Sequence, residues 1–148
     1  MELQTTTFLE EHIARKQIPG LKLNTSKGTT NEQRWIEILS THHILLKDDS
    51  KKKVTPDTHW QVFRYKKPIR IEIKSSKGET AFIKGGGNSK HYDYPVDAFE
   101  FMAITFDRDS EDPKFVCLPW KLIQGKSSVS YKQLKEWENN FKLAGYVE

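Results

Sequence analysis

The octapeptide IRIEIKSS, residues 69–76, decides how the rest of this chain is interpreted. Isoleucine alternates with charged residues along it, and successive side chains of a β-strand point to opposite faces of the sheet. The pattern therefore predicts a strand with one aliphatic face. Its other face carries Glu72 and Lys74, a carboxylate and an ammonium group two residues apart. That polar face is either a solvated surface, which is common for Glu-x-Lys in strands, or a reaction site.

The sequence around this strand predicts an α/β fold. Upstream, apolar patterns and turn signals predict a short first helix in TTTFLEEHIARKQ, a helix over 30–41 and strands over 42–47 and 60–65. Downstream, they predict strands over 80–84 and 98–106, an apolar segment over 114–120, and a closing amphipathic helix over 131–145, capped by Ser130. This order favours a single domain over residues 1–148 in which helices flank a central mixed β-sheet.

The composition excludes several classes of protein. With 148 residues, of which 36% are hydrophobic, the chain is long enough to bury a core without disulfides or structural metals. No apolar run approaches the roughly 18 residues that a membrane span needs, and the N-terminus lacks the pattern of a secretory signal. Cys117 is the single cysteine, which rules out an internal disulfide and a four-thiolate zinc site. We therefore expect a cytoplasmic protein without a membrane partner.

The charge of the chain is mildly basic. Lys and Arg number 24 against 20 Asp and Glu, which gives a net charge of +4. Lysines are clustered between the predicted elements, in the segments 47–53, 66–77 and 84–90. Such clusters are commonly solvated loops, and they are also what a polyphosphate ligand requires. Charge alone does not decide between these two interpretations.

Two further acids stand out near this strand. Glu32 projects onto the apolar stripe of the helix over 30–41, where a carboxylate loses hydration unless an ionic or hydrogen-bonding partner meets it. The alternative is that Glu32 favours the first turn of the helix and stays hydrated. Asp57 follows Pro56 just before the strand over 60–65, a position where aspartate commonly begins a turn.

We expect Asp57 and Glu72 to meet. Two adjacent strands joined by a short turn bring the start of the first beside the middle or end of the second, with Lys74 on the same face as Glu72. Two carboxylates within a few ångströms repel each other, and a hard divalent cation relieves that repulsion. The pattern therefore predicts a Mg²⁺ site, with Mn²⁺ able to substitute, that takes oxygens from Asp57, Glu72 and the main chain of Ile73.

These residues also resemble a known family. Pro56-Asp57, fourteen intervening residues and Glu72-Ile73-Lys74 resemble the signature of the PD-(D/E)xK nuclease superfamily. Upstream, KGTTNEQRWIEIL (27–39) resembles the Lys-Gly-x-x-x-Glu helix start of Holliday junction resolvases. Downstream, YDYPVDAFEFMAITF and KFVCLPWKLI are similar to small endonucleases of the superfamily, including some intron-encoded homing enzymes. The resemblance covers residues 27–123.

The chain departs from this pattern around Asp57. The loop KDDSKKKVTPD is longer and more charged than its equivalent in the resolvases. Thr58-His59-Trp60 follows where small aliphatic residues stand in the family. If the register is different, Asp48 or Asp49 would take the place of Asp57.

The resemblance implies a restriction-endonuclease-like core and a Mg²⁺-dependent endonuclease acting on double-stranded DNA. Asp57, Glu72, Lys74 and Glu32 would be its catalytic residues, with Glu32 supporting the metal site and Lys74 assisting the attacking water. Each site cuts one strand, so cutting both requires a homodimer or a larger assembly. A sequence-specific restriction or homing enzyme is the first expectation. A structure-selective junction resolvase and a non-catalytic DNA-binding module are the alternatives.

Loop and strand-end residues are the candidates for DNA contact. The segment 85–95 begins with three glycines, which cost conformational entropy when ordered, so we expect it to be flexible and to offer polar side chains to DNA. An ordinary surface loop is the alternative. The candidates are Lys51, Lys52, Lys53, Ser75, Lys77, Asn88, Lys90, His91 and Tyr92.

Overall fold

A five-stranded mixed β-sheet forms the centre of the protein in the computed structural model, which describes residues 30–51, 56–83, 94–95 and 97–148. The strands are β1 (Ile44–Asp48), β2 (Thr58–Gln61), β3 (Ile69–Ser75), β4 (Thr80–Phe82), β5 (Phe101–Phe106), β6 (Lys114–Pro119) and β7 (Ser128–Ser130). The helices are α1 (Asn31–Leu39) and α2 (Tyr131–Leu134), with 3₁₀ turns at Trp120–Leu122 and Lys135–Trp137. The predicted helix in TTTFLEEHIARKQ lies outside the described residues.

The spatial order of the main sheet is β1-β2-β3-β5-β6, while β4 and β7 pair with each other in a separate antiparallel sheet. Strand β2 runs antiparallel to both of its neighbours, β3 and β5 run parallel, and β6 runs antiparallel to β5. The predicted α/β class with a mixed sheet is therefore confirmed. No helix in the described part of the chain has the length and apolar character of a membrane span.

Strand β5 separates two hydrophobic clusters. All six of its residues are buried, as its near-continuous apolarity predicts. Phe101 and Ala103 join α1 in the first cluster, and Met102 joins β4, β7 and α2 in the second cluster on the opposite face. The isoleucines of β3 enter the first cluster. Because side chains alternate along a strand, Glu72 and Lys74 stand on the other face of β3.

Helix α1 begins with a capping box. The Gln33 N–H donates to Thr30 Oγ1 at 3.1 Å, and the Thr30 N–H donates to Gln33 Oε1 at the same distance. Trp35 ties the helix to the sheet, since its indole N–H donates to Thr105 Oγ1 at 2.9 Å in a buried position. The helix ends at Leu39, two residues before the predicted end at 41. Its start is thereby held at one end of β3 and β5.

Two predicted strands lie at the periphery. The apolar run over 42–47 does form β1, but as the end strand of the sheet, with Ile44 54% exposed and Leu46 50% exposed. Residues 80–84 contribute β4, which belongs to the small sheet and not to the main one. The main sheet therefore ends in an unusually apolar strand.

The strand predicted over 60–65 is wrong in its bounds, because β2 already ends at Gln61. The chain then turns, and the Tyr65 N–H donates to the Val62 carbonyl at 3.0 Å. Phe63 is 97% exposed at this turn instead of alternating into the sheet. The physical reason is spatial: β3 starts a few residues later and runs antiparallel to β2, so these residues are needed to reverse the chain.

The closing helix predicted over 131–145 is also wrong. Helix α2 ends at Leu134, and after a 3₁₀ turn the Asn139 N–H donates to the Phe115 carbonyl at 2.7 Å, beside the edge of β6. Asn139 and Leu143 have φ values of 62° and 58°, in the left-handed region that a helix does not pass through. Phe141 enters the first cluster and Leu134 the second, so the apolar residues that the amphipathic helix would align on one side pack on two faces of the sheet.

Asn140 holds this closing segment in place. Its buried amide group donates to the carbonyls of Cys117 and Ala144 at 3.0 Å each and accepts from the Ala144 N–H at 3.1 Å. Replacing it leaves the buried Cys117 carbonyl without this donor. We expect N140A to lower the free energy of unfolding, measured in urea, by roughly 2–4 kcal/mol.

Gln124 provides the control for this variant. Its exposed amide makes one weak bond, at 3.4 Å, to the Tyr94 carbonyl. We expect Q124A to stay within about 0.5 kcal/mol of the wild type. Equal losses in the two variants would show that Asn140 does not anchor the segment.

Candidate active site

Asp57 and Glu72 lie side by side. The antiparallel register pairs Thr58 with Ile71, so Asp57, the preceding residue, lies opposite Glu72. Asp57 Oδ2 accepts from the Ile73 N–H at 2.9 Å, which holds the aspartate side chain against β3. Beyond the effect of burial, the two carboxyl groups are close enough for the charge of Asp57 to raise the pKa of Glu72. This geometry agrees with the expectation that the two acids meet at one place.

Burial makes this acid pair costly to ionise. Glu72 is 6% exposed and Asp57 is 9% exposed. Burial, and after it the charge of Asp57, raises the pKa of Glu72 to about 8. Burial also raises the pKa of Asp57, against the hydrogen bond from Ile73 that lowers it. Glu72 therefore holds a proton at neutral pH unless a cation takes its place.

One oxygen of the pair lacks a partner. Glu72 Oε1 is buried and meets no hydrogen-bond donor within the described ranges. Such an acceptor carries the full cost of lost hydration, and a hard divalent cation is a ligand that satisfies it. No group of three or more His, Cys, Asp or Glu side chains in these ranges is close enough to hold a metal. The carboxylates that a cation would find here are thus those of Asp57 and Glu72.

Lys74 brings its amine to the same place. Its Nζ lies 3.8 Å from Glu72 Oε2 and donates to the Tyr94 hydroxyl at 2.8 Å. That hydroxyl lies 3.4 Å from the same Glu72 oxygen. Burial raises the pKa of Tyr94, so the phenol keeps its proton at neutral pH and can donate it to the carboxylate. Glu72, Lys74 and Tyr94 consequently form one connected polar group.

Tyr94 is a site residue that the sequence does not reveal. It lies 20 residues beyond Lys74, and neither strand alternation nor helical periodicity relates the two positions. Tertiary folding alone brings the phenol to the acid pair. The only sequence signal is indirect: Tyr94 belongs to the segment ahead of β5 that resembles small nucleases of the superfamily.

Glu32 approaches the pair without joining it. Its charge contributes to the raised pKa of Asp57, and the side chain of the neighbouring Asn31 donates to the Lys74 carbonyl at 3.2 Å. Glu32 is half-buried at the start of α1, which fits a hydrated first-turn acid better than one packed into the core. It faces an adjacent cavity of about 300 Å³, which is lined by Asn31, Glu32, Arg34, Ser75, Arg108 and Asp109.

The register selects Asp57 over the two aspartates that precede it. Asp48 is exposed and accepts from the N–H and the hydroxyl of Ser50. Asp49 is buried, pairs with Lys47 at 3.4 Å, and donates its N–H to the Asp57 carbonyl at 2.7 Å. Asp57 is therefore the aspartate that lies opposite the glutamate of β3.

The candidate DNA-contact residues are only partly described. Lys51 and Lys77 are exposed, and the half-buried Ser75 accepts from Arg108 Nη1 at 3.0 Å. Arg34 Nη1 donates to the Arg108 carbonyl at 3.1 Å, so two arginines that the sequence did not single out lie beside Ser75. The remaining candidates lie outside the described residues: Lys52, Lys53, Asn88, Lys90, His91 and Tyr92.

Comparisons of the chain with protein-family models, with curated proteins and with solved structures find no match. Function must therefore be inferred from the geometry of the site. Of the four predicted catalytic residues, the structure brings Asp57, Glu72 and Lys74 together and leaves Glu32 at the rim.

The buried glutamate predicts an inverse dependence of stability on pH. Because the pKa of Glu72 rises from 4.5 to about 8 on folding, the folded protein retains a proton that the unfolded chain has released between these values. The free energy of unfolding therefore falls as the pH rises through this window. We expect E72Q, measured by urea unfolding in the absence of divalent ions, to flatten this slope and to be more stable than wild type at pH 8.

The matched control is E37Q, at an exposed glutamate of α1. This variant should keep the slope of the wild type. A slope that survives in E72Q would mean that another group, and not Glu72, produces it.

Proposed function

We propose that this chain is a Mg²⁺-dependent DNA endonuclease with an active site of the PD-(D/E)xK type. One observation carries the proposal: a buried Asp57–Glu72 pair with the amine of Lys74 beside it. Two acids and a lysine in this arrangement suit metal-assisted hydrolysis of a phosphodiester. They appear on one face of β3 and at the start of its antiparallel neighbour, as the motif Pro56-Asp57 to Glu72-x-Lys74 implies.

The topology supports a restriction-endonuclease-like core. A helix precedes three antiparallel strands, and a further strand lies parallel to the third. Asp57 stands just before β2 begins, and Glu72 lies opposite it in the middle of β3. A rigid sheet of this kind holds catalytic groups in fixed positions.

The donor set fits a hard divalent cation. Asp57 and Glu72 would hold Mg²⁺, or Mn²⁺ in its place, with the main-chain carbonyl of Ile73 and water completing the shell. The unpartnered Glu72 Oε1 and the raised pKa of Glu72 both indicate a place where positive charge is lacking. When bound, the ion supplies a water of lowered pKa and neutralises charge on the phosphate. Glu32, at the rim, would support the site from α1.

Lys74 would act on the attacking water and on the phosphate. Its amine is held close to Glu72 Oε2, on the side of β3 where the acids lie. An ammonium group there orients a water molecule and stabilises the negative charge that develops on phosphorus. Asp57 contributes by staying fixed, because the Ile73 N–H holds its second oxygen.

The substrate that we propose is double-stranded DNA, and the preferred type is a sequence-specific restriction or homing enzyme. Lysine-rich segments that neighbour Asp57 and Glu72 along the sequence suit a polyanion. Because one site cuts one strand, we propose a homodimer or larger assembly. The exposed Ile44 and Leu46 of the end strand β1, with Phe63, which lines the same cavity as Leu46, offer apolar surface for such a contact. A reducing, intracellular setting suits a DNA substrate and the unpaired Cys117.

Cleavage of plasmid DNA in Mg²⁺ tests the proposal directly. We expect the wild type to cut the plasmid into discrete fragments and K74A to lose roughly 100-fold or more in rate, because the water loses its orienting group. Binding of DNA by K74A, measured by fluorescence anisotropy in Ca²⁺, should stay within a few-fold of wild type. K121A, at an exposed lysine beyond β6, is the matched control and should cut normally.

A synthetic four-way junction offered alongside the plasmid separates the alternatives. Symmetric nicks in the junction with an intact plasmid would favour a resolvase. Salt-sensitive DNA binding without cleavage in Mg²⁺ or Mn²⁺ would favour a non-catalytic DNA-binding module and would contradict the proposed endonuclease function.

Binding of the ion predicts a stabilisation that depends on the acid pair. At pH 8, Mg²⁺ well above its dissociation constant should raise the free energy of unfolding of the wild type by roughly 1–3 kcal/mol. D57N removes one of the two charges and should show no such increase, whereas E37Q should respond like the wild type. An equal response of D57N in thermal or urea unfolding would place the ion elsewhere.

A further inference from the structure

Tyr94 lies where the site needs a fixed support. Its hydroxyl accepts from Lys74 Nζ at 2.8 Å and lies 3.4 Å from Glu72 Oε2. The same amine lies 5.2 Å from the centroid of the Tyr94 ring. Lysine has a long, flexible side chain with several rotatable bonds, so without such contacts its amine would sample many positions. Tyr94 thus restrains the Lys74 amine through both its hydroxyl group and its aromatic ring.

The ring of Tyr94 is itself held rigidly. It makes edge-to-face contacts with Phe99, at 5.3 Å between centroids, and with Trp120, at 5.8 Å. Phe99 and Trp120 are 2% and 1% exposed, so both belong to the packed second cluster. Buried aromatic side chains of this kind have few alternative rotamers. The phenol is consequently fixed by the core of the protein.

The backbone at Tyr94 is anchored by the same tryptophan. The indole N–H of Trp120 donates to the carbonyl of Pro95, the next residue, at 2.9 Å. Trp120 also donates its main-chain N–H to the Glu100 carbonyl at 2.9 Å, which ties it to the start of β5. A chain of direct contacts therefore runs from β5 through Trp120 to Tyr94 and ends at Lys74.

We propose that Tyr94 is a positioning residue that holds the Lys74 amine beside Glu72, so that the second hydrophobic cluster sets the geometry of the active site. This inference deepens the proposed endonuclease function and rests on it for its catalytic consequence. Tyr94 does not contact the reacting atoms in this role. It acts through Lys74. The hydroxyl group of Tyr94 provides the hydrogen bond to the amine, whereas the ring contacts with Phe99 and Trp120 remain when the hydroxyl is removed.

The variant Y94F tests this role because it removes the hydroxyl and keeps the ring. We expect the single-turnover rate of DNA cleavage in Mg²⁺ to fall by roughly 10- to 100-fold, as for loss of a hydrogen bond to a charged group. The DNA dissociation constant in Ca²⁺ should change by less than about two-fold, because no DNA contact is lost. A purely structural role would lower the melting temperature without producing this separation of rate from affinity.

A second measurement is independent of catalysis. Freed from Tyr94, the Lys74 amine should react faster with an amine-modifying reagent, and peptide mass spectrometry reports the extent of modification at each lysine. The matched control is Y131F. Tyr131 packs against the same second cluster, and its hydroxyl donates to Glu138 instead of contacting Lys74 or Glu72. Y131F should leave both the cleavage rate and the reactivity of Lys74 unchanged.

The two measurements separate failure of the inference from failure of the proposed function. If wild type cuts DNA and Y94F cuts equally fast, the positioning role is overturned and the endonuclease stands. If wild type cuts no DNA but Lys74 becomes more reactive in Y94F alone, the positioning contact is supported and the endonuclease falls. Unchanged reactivity of Lys74 in Y94F overturns the inference whatever the activity.

Discussion

The hydrogen bond from the Ile73 N–H to Asp57 Oδ2 is the constraint on which this site depends. It fastens the residue that precedes β2 to the middle of β3, and the antiparallel register then leaves Asp57 opposite Glu72. Without it, a carboxylate next to a proline would turn toward water, where it is better solvated. The bond therefore keeps two mutually repelling acids together in a place that neither would occupy alone.

The rest of the fold makes this arrangement tolerable. Strand β3 lies between β2 and β5, with α1 packed on one face and the second hydrophobic cluster beneath the other. Such a strand cannot shift by one residue without exchanging its isoleucines for Glu72 and Lys74. Burying the two acids costs free energy of hydration, and the hydrophobic packing of the rest of the fold offsets that cost.

The sequence was informative wherever one physical rule dominated. Alternation in β3 placed Glu72 and Lys74 on one face, and continuous apolarity in β5 indicated burial on both faces. The meeting of Asp57 with Glu72 followed from a short antiparallel connection. The prediction of a long closing helix failed because of tertiary contacts. The segment after Leu134 has helical periodicity, but the hydrogen bonds from Asn139 to Phe115 and from the buried amide of Asn140 to Cys117 hold it in a non-helical conformation.

Other parts of the site lay beyond any local pattern. Tyr94 reaches Lys74 only because Trp120, from a distant part of the chain, fixes its ring and the following carbonyl. Glu32 was expected on the packed side of α1, but its first-turn position leaves it half-buried at a polar cavity. Periodicity locates a residue on a face of its own element, and it does not specify which residues of other elements that face will meet.

The placement of the tryptophans has an optical consequence. Trp35 and Trp60 lie in the first cluster, whereas Trp120 lies in the second and touches Tyr94. Indole emission responds to nearby charge and to the polarity of its surroundings, so the three buried chromophores do not sense the same region. The emission of Trp120 therefore responds to the surroundings of Tyr94, which in turn contacts Glu72 of the acid pair.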